Sequence, residues 1–253
     1  TISQQEKLIN QIQQNYQYTA ARDLIRSLAH EIKNPLGGIR GAAQLIEMMY
    51  GNTIKDIKEY TNVIIEQSDR LKVLVNNLLG PQKPNPLTKV NIHYLIEKVI
   101  KLVQMQPEIK NIKLIKDYDP SLPELDLDQD SVEQVILNIV NNAIQALGEV
   151  DKEDKYIRIK SRASIRTIVR NEKYPTAIII SISNNGPEIP ENILRTIFFP
   201  MVTTKTNGNG LGLCIALNII ERHHGTIECV SDANETTFKI ILPLKSSRKN
   251  GEQ

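Results

Sequence analysis

Apolar residues recur every seven positions in the first third of the chain. Ile25, Ile32, Ile39 and Ile46 form one series, with Leu28, Pro35 and Ala42 between them. Ile57, Ile64, Leu71 and Leu78 form a second, with Tyr60, Gln67 and Leu74 between. Such a repeat is the a/d seam of a helix that packs along its length. Gly51-Asn52-Thr53 reads as a turn, so the two seams predict a helical hairpin over 20–79. One hairpin cannot bury two seams, which predicts a homodimer in which two hairpins make a four-helix bundle. Residues 1–20, rich in Gln and Asn with Leu8, Ile9 and Ile12 spaced along them, are expected to extend the first helix towards a further N-terminal module.

The pattern then changes. Gly80-Pro81-Gln82-Lys83-Pro84-Asn85-Pro86 reads as a helix stop and linker. Beyond it the periods alternate between helical and extended. Ile92–Val103 is predicted helical and Ile112–Tyr118 a strand. A helix should run to about Leu147, capped by Asp130 or Ser131, with Glu133 or Gln134 placed for a capping box. Tyr156–Val169 and Ala177–Ser183 read as strands joined by a turn over Arg170–Pro175. A helix from Gly210 to His223 and strands at Thr226–Val230 and Thr237–Leu242 follow. The expected organisation is a dimerisation and histidine domain over 1–80, a linker over 81–89, an α/β domain over 90–245 and a disordered tail over 246–253.

Composition narrows the class. The 253 residues carry 31 basic and 29 acidic side chains, a balance that gives no reason to expect nucleic acid or an acidic membrane as a partner. No run approaches the roughly 18 apolar residues of a membrane span. Cys214 and Cys229 lack metal-ligand spacing and fit a reducing compartment, so a cytoplasmic location is expected. The first residue is Thr1, which suggests a fragment.

The chemistry concentrates in a few segments. With the isoleucines at heptad position a, His30 falls at the exposed f position and Asn34 one turn further on the same outer face. Glu31 is adjacent, and Pro35 should bend the helix beside His30. A neutral imidazole can attack phosphorus through one ring nitrogen while a partner holds the other. Glu31 is a candidate for that orienting and basic role. Further on, Asn138 and Asn142 share one helix face. Their amide oxygens suit Mg²⁺, a hard cation that prefers oxygen; Asn142 is the candidate ligand, with Asn138 nearby. Asn184-Asn185-Gly186 follows an apolar strand. Thr203-Thr204-Lys205 precedes Gly208-Asn209-Gly210-Leu211-Gly212, where glycines let backbone approach phosphate and a helix start points N–H groups at an anion.

His30-Glu31-Ile32-Lys33-Asn34-Pro35 resembles the H box of sensor histidine kinases. Val132 to Ala143 resembles their N box, and Asn184-Asn185-Gly186-Pro187-Glu188-Ile189-Pro190 occupies the place of the first glycine box. Phe198 to Lys205 resembles the F box, and Gly208 to Leu213 the second glycine box. Residues 30–45, 117–125 and 199–201 are similar to the nitrogen-regulation branch of that family. The resemblance implies a helical-hairpin dimerisation domain followed by an α/β-sandwich ATP-binding domain of the gyrase, heat-shock-90 and histidine-kinase type. It implies ATP and Mg²⁺, with Asn138, Asn142, Asn184, Gly186, Thr204, Lys205, Gly208, Gly210, Leu211 and Gly212 at the nucleotide. It implies autophosphorylation of His30, transfer to an Asp of a response regulator receiver domain, and a phosphatase activity in which Asn34 orients water. A sensor domain ahead of the chain and control by a PII-type signalling protein are implied too.

Two positions depart from the family's Asp-Asn-Gly-x-Gly pattern: Asn184 stands for the adenine-contacting Asp, and Glu188 for the second Gly. These departures keep open a second reading, a dimeric scaffold or phosphatase with impaired kinase activity. A third, an ATPase of the gyrase or chaperone kind, leaves His30 on its paired helices without a role.

Overall fold

A computed structural model of the protein describes residues 29, 31–54, 56–79, 85–170, 172–203 and 210–244. The chain divides into two units, Thr1–Gln82 and Lys83–Gln253.

In the first unit, residues 31–50 form helix α1 and Ile57–Leu79 form α2. The reversal between them is closed by Gly51 N–H donating to the Glu47 carbonyl at 2.8 Å. A Cβ on Gly51 would lie 2.3 Å from that carbonyl oxygen, so only glycine fits the turn. Arg40 Nε reaches Asp69 Oδ1 across the hairpin at 2.9 Å.

The buried rows are not the isoleucine rows. On the first helix Ala29, Leu36 and Ala43 are buried, one heptad apart. On α2 the buried row is Thr61, Ser68 and Val75, again one heptad apart. Small side chains let helices approach closely, and Thr61 returns its hydroxyl to the Ile57 carbonyl at 3.0 Å. The expected seam points elsewhere: Ile32, Ile39 and Ile46 are 43%, 50% and 40% exposed, and Ile64 and Leu71 are exposed as well. At 100° per residue the buried row lies only about 40° from the isoleucines, so the two seams are adjacent stripes of one helix.

The second unit is a two-layer α/β sandwich. Strands β1 (Thr88–Val90) and β3 (Leu125–Leu127) form a small antiparallel pair. Strands β2 (Lys113–Asp117), β4 (Tyr156–Val169), β5 (Glu172–Asn184), β6 (Thr226–Ser231) and β7 (Thr236–Pro243) form a sheet of order β2-β4-β5-β7-β6. The β2–β4 pair is parallel and the other pairs are antiparallel. Helices α3 (Ile92–Val103), α4 (Gln129–Gly148) and α6 (Gly212–Arg222) form the helical layer, and α5 (Glu191–Leu194) is a single turn.

Period explains both layers. Ile92, Leu95, Ile96, Val99, Ile100 and Val103 make one buried stripe of α3. Val132, Val135, Ile136, Ile139, Val140, Ala143, Ile144 and Leu147 do the same on α4. Alternate strand residues face them: Ile157 and Ile159 on β4, Ile178, Ile180 and Ile182 on β5, and Phe238, Ile240 and Leu242 on β7.

Three local expectations need correction. The N-cap of α4 is Asp128, not Asp130 or Ser131; its carboxylate accepts from Ser131 N–H at 3.3 Å and Ser131 Oγ–H at 2.7 Å. Glu133 pairs with Lys98 Nζ at 2.6 Å instead of closing a capping box. The turn between β4 and β5 is far tighter than Arg170–Pro175, because Val169 already pairs with Glu172. Pro175 lies within β5, where the ladder passes from Tyr174–Thr167 to Thr176–Ile165 without a bonded pair at the imide nitrogen. Asn85, in the expected linker, is tied to α4: its N–H donates to Asp128 Oδ2 at 3.1 Å. The expected tail, 246–253, is outside the described residues.

Candidate functional site

The end of β5 and the last turn of α4 meet in one corner of the α/β unit. Asn184 is the last residue of β5 and only 2% exposed. Its Nδ2 is buried with no hydrogen-bond partner. Leaving such a donor unpaired costs about 1–3 kcal/mol, a cost that a ligand acceptor would remove. Gly186, two residues on, is buried against the same amide. A Cβ at Gly186 would sit 2.7 Å from Asn184 Nδ2 and 3.2 Å from Ala146 Cβ of α4.

Asn185, between them, is a structural clamp. Its Oδ1 accepts from Tyr156 N–H at 2.9 Å, and its Nδ2 donates to the Asp154 carbonyl at 3.0 Å. Lys152 Nζ donates to the Asn185 carbonyl at 3.1 Å. These bonds tie the segment before β4 to the end of β5. Sequence reasoning gave Asn185 no part; its signal is the repeated Asn after an apolar strand. Glu188 is exposed, so its charge sits in water, not within the corner.

Asn138 and Asn142 both lie on α4. Asn138 Nδ2 donates to the Gly212 carbonyl at 3.2 Å, which fastens α4 to the first residue of α6. Gly212 lies close to that amide: a Cβ there would be 3.8 Å from Asn138 Cγ. The helix starts at Gly212, two residues later than expected, with Leu211 as its N-cap. Gly210 instead adopts φ +61°, and a Cβ there would fall 2.5 Å from the Met201 carbonyl carbon. Met201 N–H donates to the Gly210 carbonyl at 3.0 Å, so the ends flanking 204–209 are held side by side. Thr204, Lys205 and Gly208 lie outside the described residues.

The start of α4 is fixed from a distance. Asp128 N–H donates to His223 Nε2 at 2.9 Å. A backbone N–H cannot accept, so Nε2 must be unprotonated. His223 Nδ1–H then donates to the Ile219 carbonyl at 2.8 Å. Burial holds the His223 pKa below its ordinary value, against smaller opposing contributions from the Ile219 carbonyl and Asp128. At Asp128, burial pushes the carboxyl pKa up, but hydrogen bonds from Ser131 and Asn85 bring it below the usual value.

A second cluster lies on α3 and β4. His93 Nε2 is 2.8 Å from Ser161 Oγ, and Ser161 Oγ accepts from Asp119 N–H at 3.0 Å. The His93 ring stacks on Tyr118 at 4.9 Å, and Tyr118 O–H donates to Glu97 at 3.0 Å. Burial, then the Glu97 bond, raises the phenol's pKa. These groups satisfy one another and brace α3 on the sheet.

In the helical unit His30 lies outside the described residues. Glu31 and Asn34 are both exposed on α1, about one turn apart.

Residues 127–246 match the family of histidine kinase-, DNA gyrase B- and HSP90-like ATPases. Residues 20–86 match the His Kinase A (phospho-acceptor) domain. The chain is 48% identical over 242 residues to the sensory histidine kinase/phosphatase NtrB of Escherichia coli O157:H7, covering 95% of this chain and 67% of that protein. It is 37% identical over 245 residues to NtrB of Rhizobium leguminosarum bv. phaseoli, covering 95% and 63%. Among solved structures, the nucleotide-free catalytic domain of histidine kinase ThkA is 31% identical with a TM-score of 0.52, covering 63% of this chain and 96% of that one. ThkA in complex with the response regulator protein TrrA is 28% identical with a TM-score of 0.55, covering 94% of this chain and 66% of that one. Among the described residues no helix is long and apolar enough to cross a membrane. A hairpin with a phospho-acceptor match, an ATPase sandwich and 48% identity to NtrB over 95% of the chain converge: the chain belongs to the nitrogen-regulation (NtrB) family of sensory histidine kinase/phosphatases.

Proposed function

We propose that this protein-histidine kinase moves the γ-phosphoryl group of ATP to His30, then passes it to an Asp of a nitrogen-regulation response regulator. The single observation that carries the nucleotide half is the buried, unpaired Asn184 amide above Gly186. It falls in the segment that stands in the place of the family's first glycine box, for which the resemblance implies contact with the base. Gly186 and Asn184 would hold the purine, and Gly210, Leu211 and Gly212 would offer backbone at the phosphates, joined by Thr204, Lys205 and Gly208. Mg²⁺ would draw on Asn142, with Asn138 nearby, and on phosphate oxygens. Among the described residues no three His, Cys, Asp or Glu side chains converge on a metal site. Amide and phosphate oxygens suit a cation that keeps part of its water. ATP supplies the phosphoryl group. The protein's part is to position it and to neutralise charge.

Glu31 would orient the His30 ring and take its proton. Asn34 would place water for the reverse reaction, since an amide can position water but is a poor base. The exposed isoleucine row of α1 supports a homodimer, because a row that continues into apolar surface requires a second hairpin. A PII-type signalling protein as regulator and a cytoplasmic location belong to the same reading, the first as the resemblance to the nitrogen-regulation branch implies, the second from the two lone thiols.

A second reading is favoured by Asn184 and Glu188. A neutral amide replaces an acceptor carboxylate at the base, and charge-assisted bonds are about twice as strong as neutral ones. ATP binding would then be some 5–30-fold weaker, for a loss of about 1–2 kcal/mol. The protein would act mainly as a dimeric scaffold or phosphatase.

One experiment separates these. The chain is incubated with γ-labelled ATP and Mg²⁺, and a purified receiver domain is then added. Acid-labile label on the chain, followed by label on the receiver, is expected. Asn34→Ala should slow the later loss of receiver label more than it slows labelling of the chain. No label on the chain, with ATP demonstrably bound, would leave the scaffold reading.

A further inference from the structure

The corner at the end of β5 has an unusual chemical property. Its deepest polar group is an amide, which carries a donor and an acceptor on one planar end. The donor, Asn184 Nδ2, is buried and unpaired. The space at Gly186 is bounded by that nitrogen on one side and by the Ala146 methyl, which offers no acceptor, on another. The two ends of the amide are therefore not fixed by the protein. Rotation of the side-chain torsion by half a turn exchanges donor for acceptor at small cost, because such terminal torsions are broad and two-fold.

Purine bases differ at this edge by the opposite exchange. Adenine presents a 6-amino donor beside an N1 acceptor. Hypoxanthine and guanine present a 6-oxo acceptor beside an N1–H donor. A carboxylate only accepts, so it pairs with the 6-amino group and sets lone pairs against a 6-oxo group. An amide matches either edge after its half-turn.

We propose that the nucleotide site accepts 6-oxopurine nucleoside triphosphates alongside ATP, and that Asn184 is the residue that sets this selectivity. The proposal rests on the reading of this corner as the purine site. Gly186 belongs to the same device. Its missing side chain leaves the space beside Nδ2 in which the amide turns; a Cβ there would meet that nitrogen at 2.7 Å. Low exposure sharpens the effect, because water cannot substitute for a mismatched partner.

Equilibrium binding on the intact chain, without turnover, tests this with ATP, ITP and GTP as probes. ITP isolates the 6-position, and GTP adds the 2-amino group. The native chain should bind ITP within about tenfold of ATP. Asn184→Asp should tighten ATP and weaken ITP, moving their ratio by about 10- to 100-fold, the scale of one bidentate base contact. Weak GTP with tight ITP would place the exclusion at the 2-amino group and support the 6-position assignment. If the native chain and Asn184→Asp both bind ATP and reject ITP equally, the proposal is overturned while the nucleotide site stands. If neither binds any of the three, the reading of the corner as a nucleotide site falls, and the proposal with it. Should Asn184→Asp fail to fold, the native ratio still decides, because ITP binding more than about a hundredfold weaker than ATP contradicts it.

Discussion

The helical hairpin and the α/β sandwich solve the burial problem in different ways. In the sandwich, each apolar stripe meets another within the same chain: Ile96 and Ile136 on the helices and Ile157 and Ile180 on the strands are all fully buried. In the hairpin, small residues close the chain on itself while Ile39, Ile46 and Leu71 stay exposed. One unit finishes its core alone, and the other leaves apolar side chains exposed, which the proposed homodimer would cover.

The largest effect should come from breaking the seam. Ile39→Glu changes a side chain that is half exposed in one chain, so a monomer would tolerate it within about 0.5 kcal/mol. In a bundle it buries an unpaired charge, costing about 3–5 kcal/mol. Sedimentation at micromolar concentration should show twice the chain mass for the native protein and a monomer for Ile39→Glu. Two dimers would mean that the isoleucine row is not the interface.

A smaller and opposite effect is expected at the corner of the sandwich. Gly186→Ala places a methyl 2.7 Å from Asn184 Nδ2 and 3.2 Å from Ala146 Cβ. Overpacking of this kind costs about 1–3 kcal/mol. ATP affinity by calorimetry should fall by at least about tenfold with dimerisation unchanged. A loss of dimer in this variant would mean that the units are coupled.

The smallest effect concerns pH. Burial depresses the pKa of His223, which holds Asp128 N–H through an unprotonated nitrogen. The unfolded chain therefore binds a proton that the folded chain resists. Stability is full above the ordinary histidine pKa of 6.5 and is lost as pH falls towards the depressed value. Burial also lowers His93, which adds in the same direction. Denaturant unfolding of the α/β unit should weaken from pH 7.5 to 5.5. His223→Gln, which keeps one donor and one acceptor, should flatten that slope at a cost of about 1 kcal/mol. An unchanged slope would remove His223 as its source.

How much of this was legible follows from the kind of force at each place. Helix α3 was readable to its ends, because Ile92 to Val103 carries an unbroken stripe. Strands β1 and β3 were missed; three residues carry no period, and only pairing across 35 or more positions makes them strands. The inner hairpin row was hidden because Ala43, Thr61 and Ser68 do not read as a seam, whereas the isoleucines beside them do. Asp128 was passed over for Asp130 because the two lie within one turn, and the contact that selects Asp128 comes from His223, 95 residues away. At the candidate site, Asn184, Gly186 and Asn138 were singled out by pattern; the fold sets Asn184 and Gly186 beside Ala146 at the end of α4, and Asn138 against Gly212 at the start of α6. The clamp by Asn185 and the orphaned amide beside it depend on folded geometry and leave no trace in spacing.

The central claim is that the two units serve one phosphoryl transfer, from the nucleotide corner of the sandwich to the histidine of the hairpin. Labelling with γ-labelled ATP and Mg²⁺, compared between the native chain and His30→Gln, tests it most directly. The account predicts acid-labile label on the native chain, none on His30→Gln, and ATP binding within about twofold for both, since a surface substitution away from the nucleotide changes little. Acid-labile label that persists in His30→Gln would contradict it.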